Sequence, residues 1–223
     1  MERKIVLWVV SLTVIGLLLA LFLPGGKQAD RNPKLPWKIH VDHQGDSQVF
    51  GLTLGHSTLN DARQILSNDG KVSLFITRHG KPALEAFFER IYLSGIRGDF
   101  VLVLQADPKL LQALYERGRR IGRTTDITRK VELAPEDMER VGRLPIRLIN
   151  YVPYANLDEQ LVLQRFGEPA ERLKEPNSSV VHWIYPRVGL DIALNPEGKE
   201  LLQYVQPGQI DEVVKALKKA GGG

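Results

Sequence analysis

Val180–Val205, VVHWIYPRVGLDIALNPEGKELLQYV, decides the fold. A tight turn near Pro186-Arg187 places Val181, Trp183 and Tyr185 on one face with Val188, Leu190, Ile192 and Leu194. The opposite face then carries His182, Asp191 and Asn195. Slipping the pairing by one residue would mix the two sets, so the pattern specifies its own register. Asn195-Pro196-Glu197-Gly198 reads as a second turn, and Leu201–Val205 as the third strand of an antiparallel meander. Beyond it, Ile210, Val213, Val214 and Leu217 recur at helical spacing, followed by Lys218, Lys219 and the glycines 221–223. Strands and helices thus follow one another without a βαβ pattern, which implies an α+β fold with antiparallel sheet.

Working upstream, Asn156-Leu157-Asp158-Glu159 has capping-box form, with Glu at the third helical position. Its helix holds Leu157, Leu161 and Phe166 and stops at Gly167, ahead of Pro169. Pro145–Tyr151 reads as a strand, Pro135–Val141 as a short helix and Ile127–Leu133 as a strand. Asp107-Pro108 is a helix start, with Asp as the cap and Pro at the first position. Leu110, Leu111, Leu114 and Tyr115 follow it, and Gly118 ends the helix. Phe100–Gln105 and Lys71–Thr77 read as strands, with His79-Gly80 as a turn. Pro82–Tyr92 fits either a helical face (Leu84, Phe87, Phe88, Ile91) or a strand, and periodicity does not choose. Ser57 or Thr58 caps a helix bearing Leu59, Ala62, Ile65 and Leu66, which Asn68-Asp69-Gly70 stops. Phe50–Gly55 and Trp37–Asp42 read as short strands.

The N-terminus is different in kind. Ile5–Leu23 is 19 consecutive residues without a charge. As a helix it covers roughly 30 Å, the thickness of bilayer hydrocarbon. Only Ser11 and Thr13 interrupt it, so it lacks the polar stripe of a core helix. Arg3 and Lys4 would suit a secretory signal, but LPGGKQA is a poor cleavage site, and the reading is an uncleaved anchor. Arg3 and Lys4 before it are balanced by Lys27, Arg31, Lys34 and Lys38 after it. Long domains translocate largely regardless of such charges. The expected arrangement is therefore single-pass, with the folded part periplasmic. The expected organisation is an anchor at 1–24, a Pro/Gly-rich linker at 25–36, and α+β modules at 37–134 and 135–220.

Two modules are suggested because Thr58-Leu59-Asn60-Asp61 and Asn156-Leu157-Asp158-Glu159 each open a helix that leads to apolar strands. The second half, LDEQLVLQRFGEPAER (157–172) with VVHWIYPRVGLDIALNPEGKELLQYVQP (180–207), resembles the small envelope modules of the SmpA/OmlA (BamE-like) group. That group shares the fold of β-lactamase-inhibitory protein. The resemblance rests on Gly167-Glu168-Pro169, on Trp183 and Tyr185, and on Glu197-Gly198. Gly51–Gly55 with Ser57-Thr58 resembles the opening of such a module. It implies two BamE-like repeats and a non-catalytic envelope module that binds other proteins. Unlike the family, the chain has no lipidated cysteine.

Catalytic signatures are absent. With no cysteine, disulfides, thiolate metal sites and a cysteine nucleophile are excluded. His40-Val41-Asp42-His43 offers too few ligands on one strand face for a metal, so no metal or cofactor is expected. Gly95-Ile96-Arg97-Gly98 lacks the Lys-Ser/Thr of a phosphate loop. His182 and Asp191 become cross-strand neighbours, a candidate polar, solvated face. As a base pair they would serve a hydrolase, the alternative to a binding module. Arg117, Arg119, Arg120, Arg123, Arg129 and Lys130 form a candidate basic patch, read as the end of a helix. It would suit anionic lipid, glycan or an acidic protein face. The net charge of +4 is mild, the patch lacks interleaved aromatics, and nucleic acid is not expected. The expected partners are thus the membrane, through residues 5–23, and envelope proteins.

Overall fold

Short apolar alternations separated by Gly, Pro and Asn turns make strands, and strands dominate the computed structural model. It describes residues 32–77, 82–125 and 128–221, with backbone alone at 77, 120–125, 128, 220 and 221. The apolar stretch Ile5–Leu23 and His79-Gly80 lie outside the described residues. Among those described, no helix is long and apolar enough to cross a membrane. Lys34–Gly223 is a compact unit.

The chain begins with β1 (His40–Val41), β2 (Ser47–Val49), β3 (Leu52–Thr53) and α1 (Leu59–Leu66). Next come β4 (Lys71–Thr77), β5 (Ala83–Leu93), β6 (Ile96–Leu104) and α2 (Pro108–Arg117). The hairpin β7 (Arg119–Thr125) and β8 (Thr128–Glu132) follows. A 3-10 turn, Pro135–Asp137, leads into α3 (Met138–Gly142), β9 (Ile146–Pro153) and α4 (Glu159–Phe166). The chain closes with β10 (Glu171–Lys174), β11 (Val181–Tyr185), β12 (Leu190–Leu194), β13 (Leu201–Tyr204) and α5 (Ile210–Gly221). β1-β2-β3 is a small antiparallel ribbon. Ten strands form one antiparallel sheet in the order β10-β11-β12-β13-β9-β6-β5-β4-β8-β7. The fold is α+β.

The β11–β12 hairpin has the register its pattern demands: Val181 opposite Leu194, Trp183 opposite Ile192, Tyr185 opposite Leu190. Its connection is a 3-10 turn at Pro186–Val188 closed by Gly189, at φ +66. A Cβ at Gly189 would sit 2.0 Å from the Val205 carbonyl oxygen, so only glycine fits there.

The segment 83–93 is a strand with a bulge. Leu84, Ala86 and Phe88 are buried at period two, Glu89 and Arg90 are exposed, and Ile91 is buried again. The register against β6 shifts between Phe88 and Ile91. Arg90 takes φ +55 there, and its N–H donates to the Asp99 carboxylate at 2.8 Å. The extra residue brings positions 84, 88 and 91 onto one face, which is also helical spacing.

Other boundaries move. Thr58 caps α1 with a complete Thr58–Asp61 box, but Asp158, not Asn156, caps α4, accepting from the Leu161 N–H at 2.7 Å. Only His40–Val41 of the expected 37–42 strand is paired. Within Phe50–Gly55, Phe50 and Gly51 are the two-residue turn between β2 and β3, and Leu52–Thr53 is strand. Both turn residues have positive φ, +57 and +82, the backbone of a primed hairpin turn.

The boundary expected at 134–135 falls between β8 and the 3-10 turn. Strands from both sides join in the one sheet, where β9 pairs with β6 and with β13. The main core lies on one sheet face and spans both halves, from Leu74, Leu84 and Phe100 to Trp183, Ile192 and Leu202. Residues of α1 to α4 and the ribbon complete it. On the other face α5 packs Ile210, Val213, Val214 and Leu217 against Val103, Leu148 and Ile184.

Phe50 plugs the seam. Its ring lies 5.0 Å from Phe100 on β6, 5.3 Å from Tyr151 on β9 and 5.5 Å from Tyr204 on β13. Left-handed backbone costs a residue other than glycine about 1–2 kcal/mol. Burying a Phe ring contributes about 1.5–3 kcal/mol, and each aromatic pair about 0.5–1.5 more. Packing therefore outweighs the strain. Phe50→Ala is expected to cost about 3–5 kcal/mol, in a single urea transition that moves both halves together. Separate transitions for the two halves would contradict this.

Candidate functional site

Two sets of side chains stand out, one closed and one open. The closed set is built on the β11–β12 hairpin. His182 Nδ1 lies 2.8 Å from Asp191 Oδ2, and Nε2 lies 3.0 Å from Glu175 Oε1. His182 and Asp191 are both buried. The face expected to be solvated is therefore covered, because α5 packs on this side of the sheet around the neighbouring Ile184. Burial opposes charging of the imidazole, but a carboxylate on each ring nitrogen outweighs it, and the pKa stands above 6.5. His182 in turn lowers the pKa of Glu175. Both ring nitrogens donate in the imidazolium, so neither keeps a lone pair for a substrate proton. The arrangement suits an internal ionic clasp tying the β10–β11 connection to the sheet.

The basic stretch is divided among three elements. Arg117 ends α2 and grips the buried Asp137 with two bonds, Nε to Oδ2 at 3.0 Å and Nη2 to Oδ1 at 2.6 Å. Arg119 on β7 bonds Glu132 on β8 at 2.6 Å. Arg120 and Arg123 lie on β7, Arg129 and Lys130 on β8, and Lys130 Nζ lies 5.8 Å from the Phe75 ring centre. What read as a helix end is an edge hairpin, since the chain leaves the helix at Gly118 and returns as strand. Charged side chains on an edge strand discourage pairing with other chains.

His40 sits on β1 and His43 beyond it. Asp42 lies in the intervening turn, where its Oδ1 accepts from the N–H groups of Asp46 at 2.9 Å and Gln44 at 2.8 Å. These bonds, that from Asp46 foremost, hold the Asp42 pKa below its ordinary value. Among the described residues no group of His, Cys, Asp or Glu is placed to hold a metal.

The open set is an aromatic cleft of about 470 Å³ between Pro36-Trp37, the β5–β6 turn and α4. Its walls include Trp37, Tyr92, Tyr154 and Phe166, with Pro36 and Pro153. Tyr92 is 66% exposed and Tyr154 41%, large apolar surfaces left to solvent on a well-packed body. Trp37 is held by the Arg165 guanidinium, 4.6 Å from its ring centre, and Tyr92 by Arg97 at 5.7 Å. Both arginines line the cleft and are exposed. Neither has a carboxylate partner among the described residues, whereas Arg117, Arg119, Arg143 and Arg172 each have one. Fixed bonds shape the walls. The Tyr151 hydroxyl donates to the Arg97 carbonyl at 3.0 Å, the Tyr204 hydroxyl to the Pro36 carbonyl at 3.0 Å, and the Tyr154 hydroxyl to Asp99 at 2.9 Å. Sequence reasoning missed this site. Its aromatics come from three distant segments and share no motif, and only their exposure distinguishes them from core.

No family model matches the chain, and no curated protein matches it. A solved structure of a DUF4309 family protein from Bacillus subtilis is similar at 9% identity and a TM-score of 0.39. The likeness covers 73% of this chain and 88% of that one.

A group with a raised folded pKa stabilises fully below its unfolded pKa, and the contribution vanishes as pH rises through the folded value. His182→Gln should therefore lose more unfolding free energy, relative to the native sequence, at about pH 6 than at about pH 9. Urea titrations of both proteins measure this difference. A difference constant with pH would contradict the charged clasp.

Proposed function

We propose that the chain is a non-catalytic interaction module of the bacterial envelope. Ile5–Leu23 anchors it in the membrane, and the unit from Lys34 onward engages envelope proteins on the periplasmic side. The observation that carries this reading is the aromatic cleft. Exposed Tyr92 and Tyr154, beside the half-buried Trp37, supply large contact area at little entropic cost, and such rings with Arg are the residues that dominate protein interfaces. The resemblance of 156–207 to BamE-like modules agrees with it. The hydrolase alternative needs a histidine with a free ring nitrogen, and His182 has none. A lipid- or glycan-binding role for the basic stretch is weakened because Arg117 and Arg119 are already paired.

A photoreactive phenylalanine in place of Tyr154, in the full chain in native membranes, tests the reading. It should give a discrete protein adduct that the same probe at Glu136, an exposed residue outside the cleft, does not give. Trp37→Ala should abolish that adduct. No adduct from position 154, or equal adducts from both positions, would contradict the proposal.

A further inference from the structure

Resting on that reading, we infer that the aromatic cleft takes an extended, acidic, proline-containing segment of the partner protein. Three features of the site point there. Its volume of about 470 Å³ falls in the range of roughly 300–1,000 Å³ that encloses a small ligand or a few side chains. A concave site of this size admits a single chain more readily than a flat bilayer.

The walls are mostly apolar, rings and prolines beside aliphatic side chains such as Ile96, Leu157 and Leu161, with Arg97 and Arg165 as the charged groups. Grooves lined by aromatic side chains recognise polyproline II segments, which arrive already extended and lose little entropy on binding. Trp37, Tyr92 and Tyr154 supply the faces against which proline rings pack.

The third feature is charge. Arg165 lies over the Trp37 ring and Arg97 over the Tyr92 ring, and both lack a carboxylate among the described residues. A guanidinium over a ring face keeps its N–H edges available to a carboxylate. The other charged groups of the neighbourhood are partly committed. Asp99 accepts from Tyr154 and from the Arg90 N–H, and Lys199 lies 5.7 Å from the Tyr154 ring centre. Around the cleft Arg97, Arg165, Arg90 and Lys199 outnumber Asp99 and Glu89, so its complement is Asp or Glu flanking proline or apolar residues.

Selection of a displayed random-peptide library on the full-length chain in phosphatidylcholine nanodiscs tests this. The native sequence should enrich peptides that combine Pro or aromatic residues with Asp and Glu. The double variant Arg97→Glu, Arg165→Glu should bind those peptides at least about tenfold more weakly, or about 1.4 kcal/mol, and should enrich Lys and Arg instead. Arg97→Gln with Arg165→Gln, alongside an unchanged melting temperature, guards against misfolding. Enriched peptides without acidic residues, equal binding to both proteins, or no enrichment would overturn the inference. So would loss of peptide binding in phosphatidylglycerol nanodiscs, which would assign the cleft to lipid. If the Tyr154-site protein adduct survives the charge reversal, the interaction reading stands and this inference falls. If neither adduct nor peptides appear, both fall.

Discussion

The buried ring of Phe50 is the constraint on which the rest of the molecule depends. It is held in left-handed backbone, at the tip of a ribbon that belongs to neither half of the large sheet. From there it touches one aromatic on each of the three central strands. β9 can serve both halves only if its face is filled where β6 and β13 meet it. The ring fills that space. Two of its partners then reach outward. Tyr151 bonds the Arg97 carbonyl, and Tyr204 bonds the carbonyl of Pro36. Seam and cleft thus share Tyr151, and Tyr204 ties the seam to the cleft's Pro36. The cleft's position beside Pro36 and Trp37 follows from the packing of the seam.

Much of this order is written locally. The hairpin of β11 and β12 is legible because two faces of opposite character leave a single admissible register. α1 and α2 are legible because their caps, Thr58 and Asp107, carry chemistry specific to a helix start. The sequence misleads where a tertiary event breaks the period. At 83–93 one bulge turns a strand pattern into an apparent helix face. At 119–125 arginines that suit a helix end belong to an edge strand, because nothing local marks the return of the chain. Phe50 reads as strand, since no apolar pattern announces that its backbone is a turn.

The site was less legible than the fold, for a physical reason. His182 and Asp191 were found by register, and the structure does bring them together. Their burial depends on α5, more than a dozen residues downstream, and on Glu175, which the hairpin pattern does not include. In the clasp that results, both ring nitrogens of His182 are engaged by carboxylates. The aromatics of the cleft are scattered across Trp37, Tyr92 and Tyr154, and a sequence does not reveal which rings are left in water. An exposed ring beside a guanidinium that has no carboxylate partner among the described residues is a property of the assembled surface.

Native-state hydrogen exchange tests the central claim, that one sheet joined at β9 carries both halves and the cleft. The slowest amides of β5 and β6 and those of β12 and β13 should report the same opening free energy, equal to that of global unfolding. Phe50→Ala should lower both by the same amount. Two distinct opening energies in the native protein, or a loss confined to one half in the variant, would contradict the account.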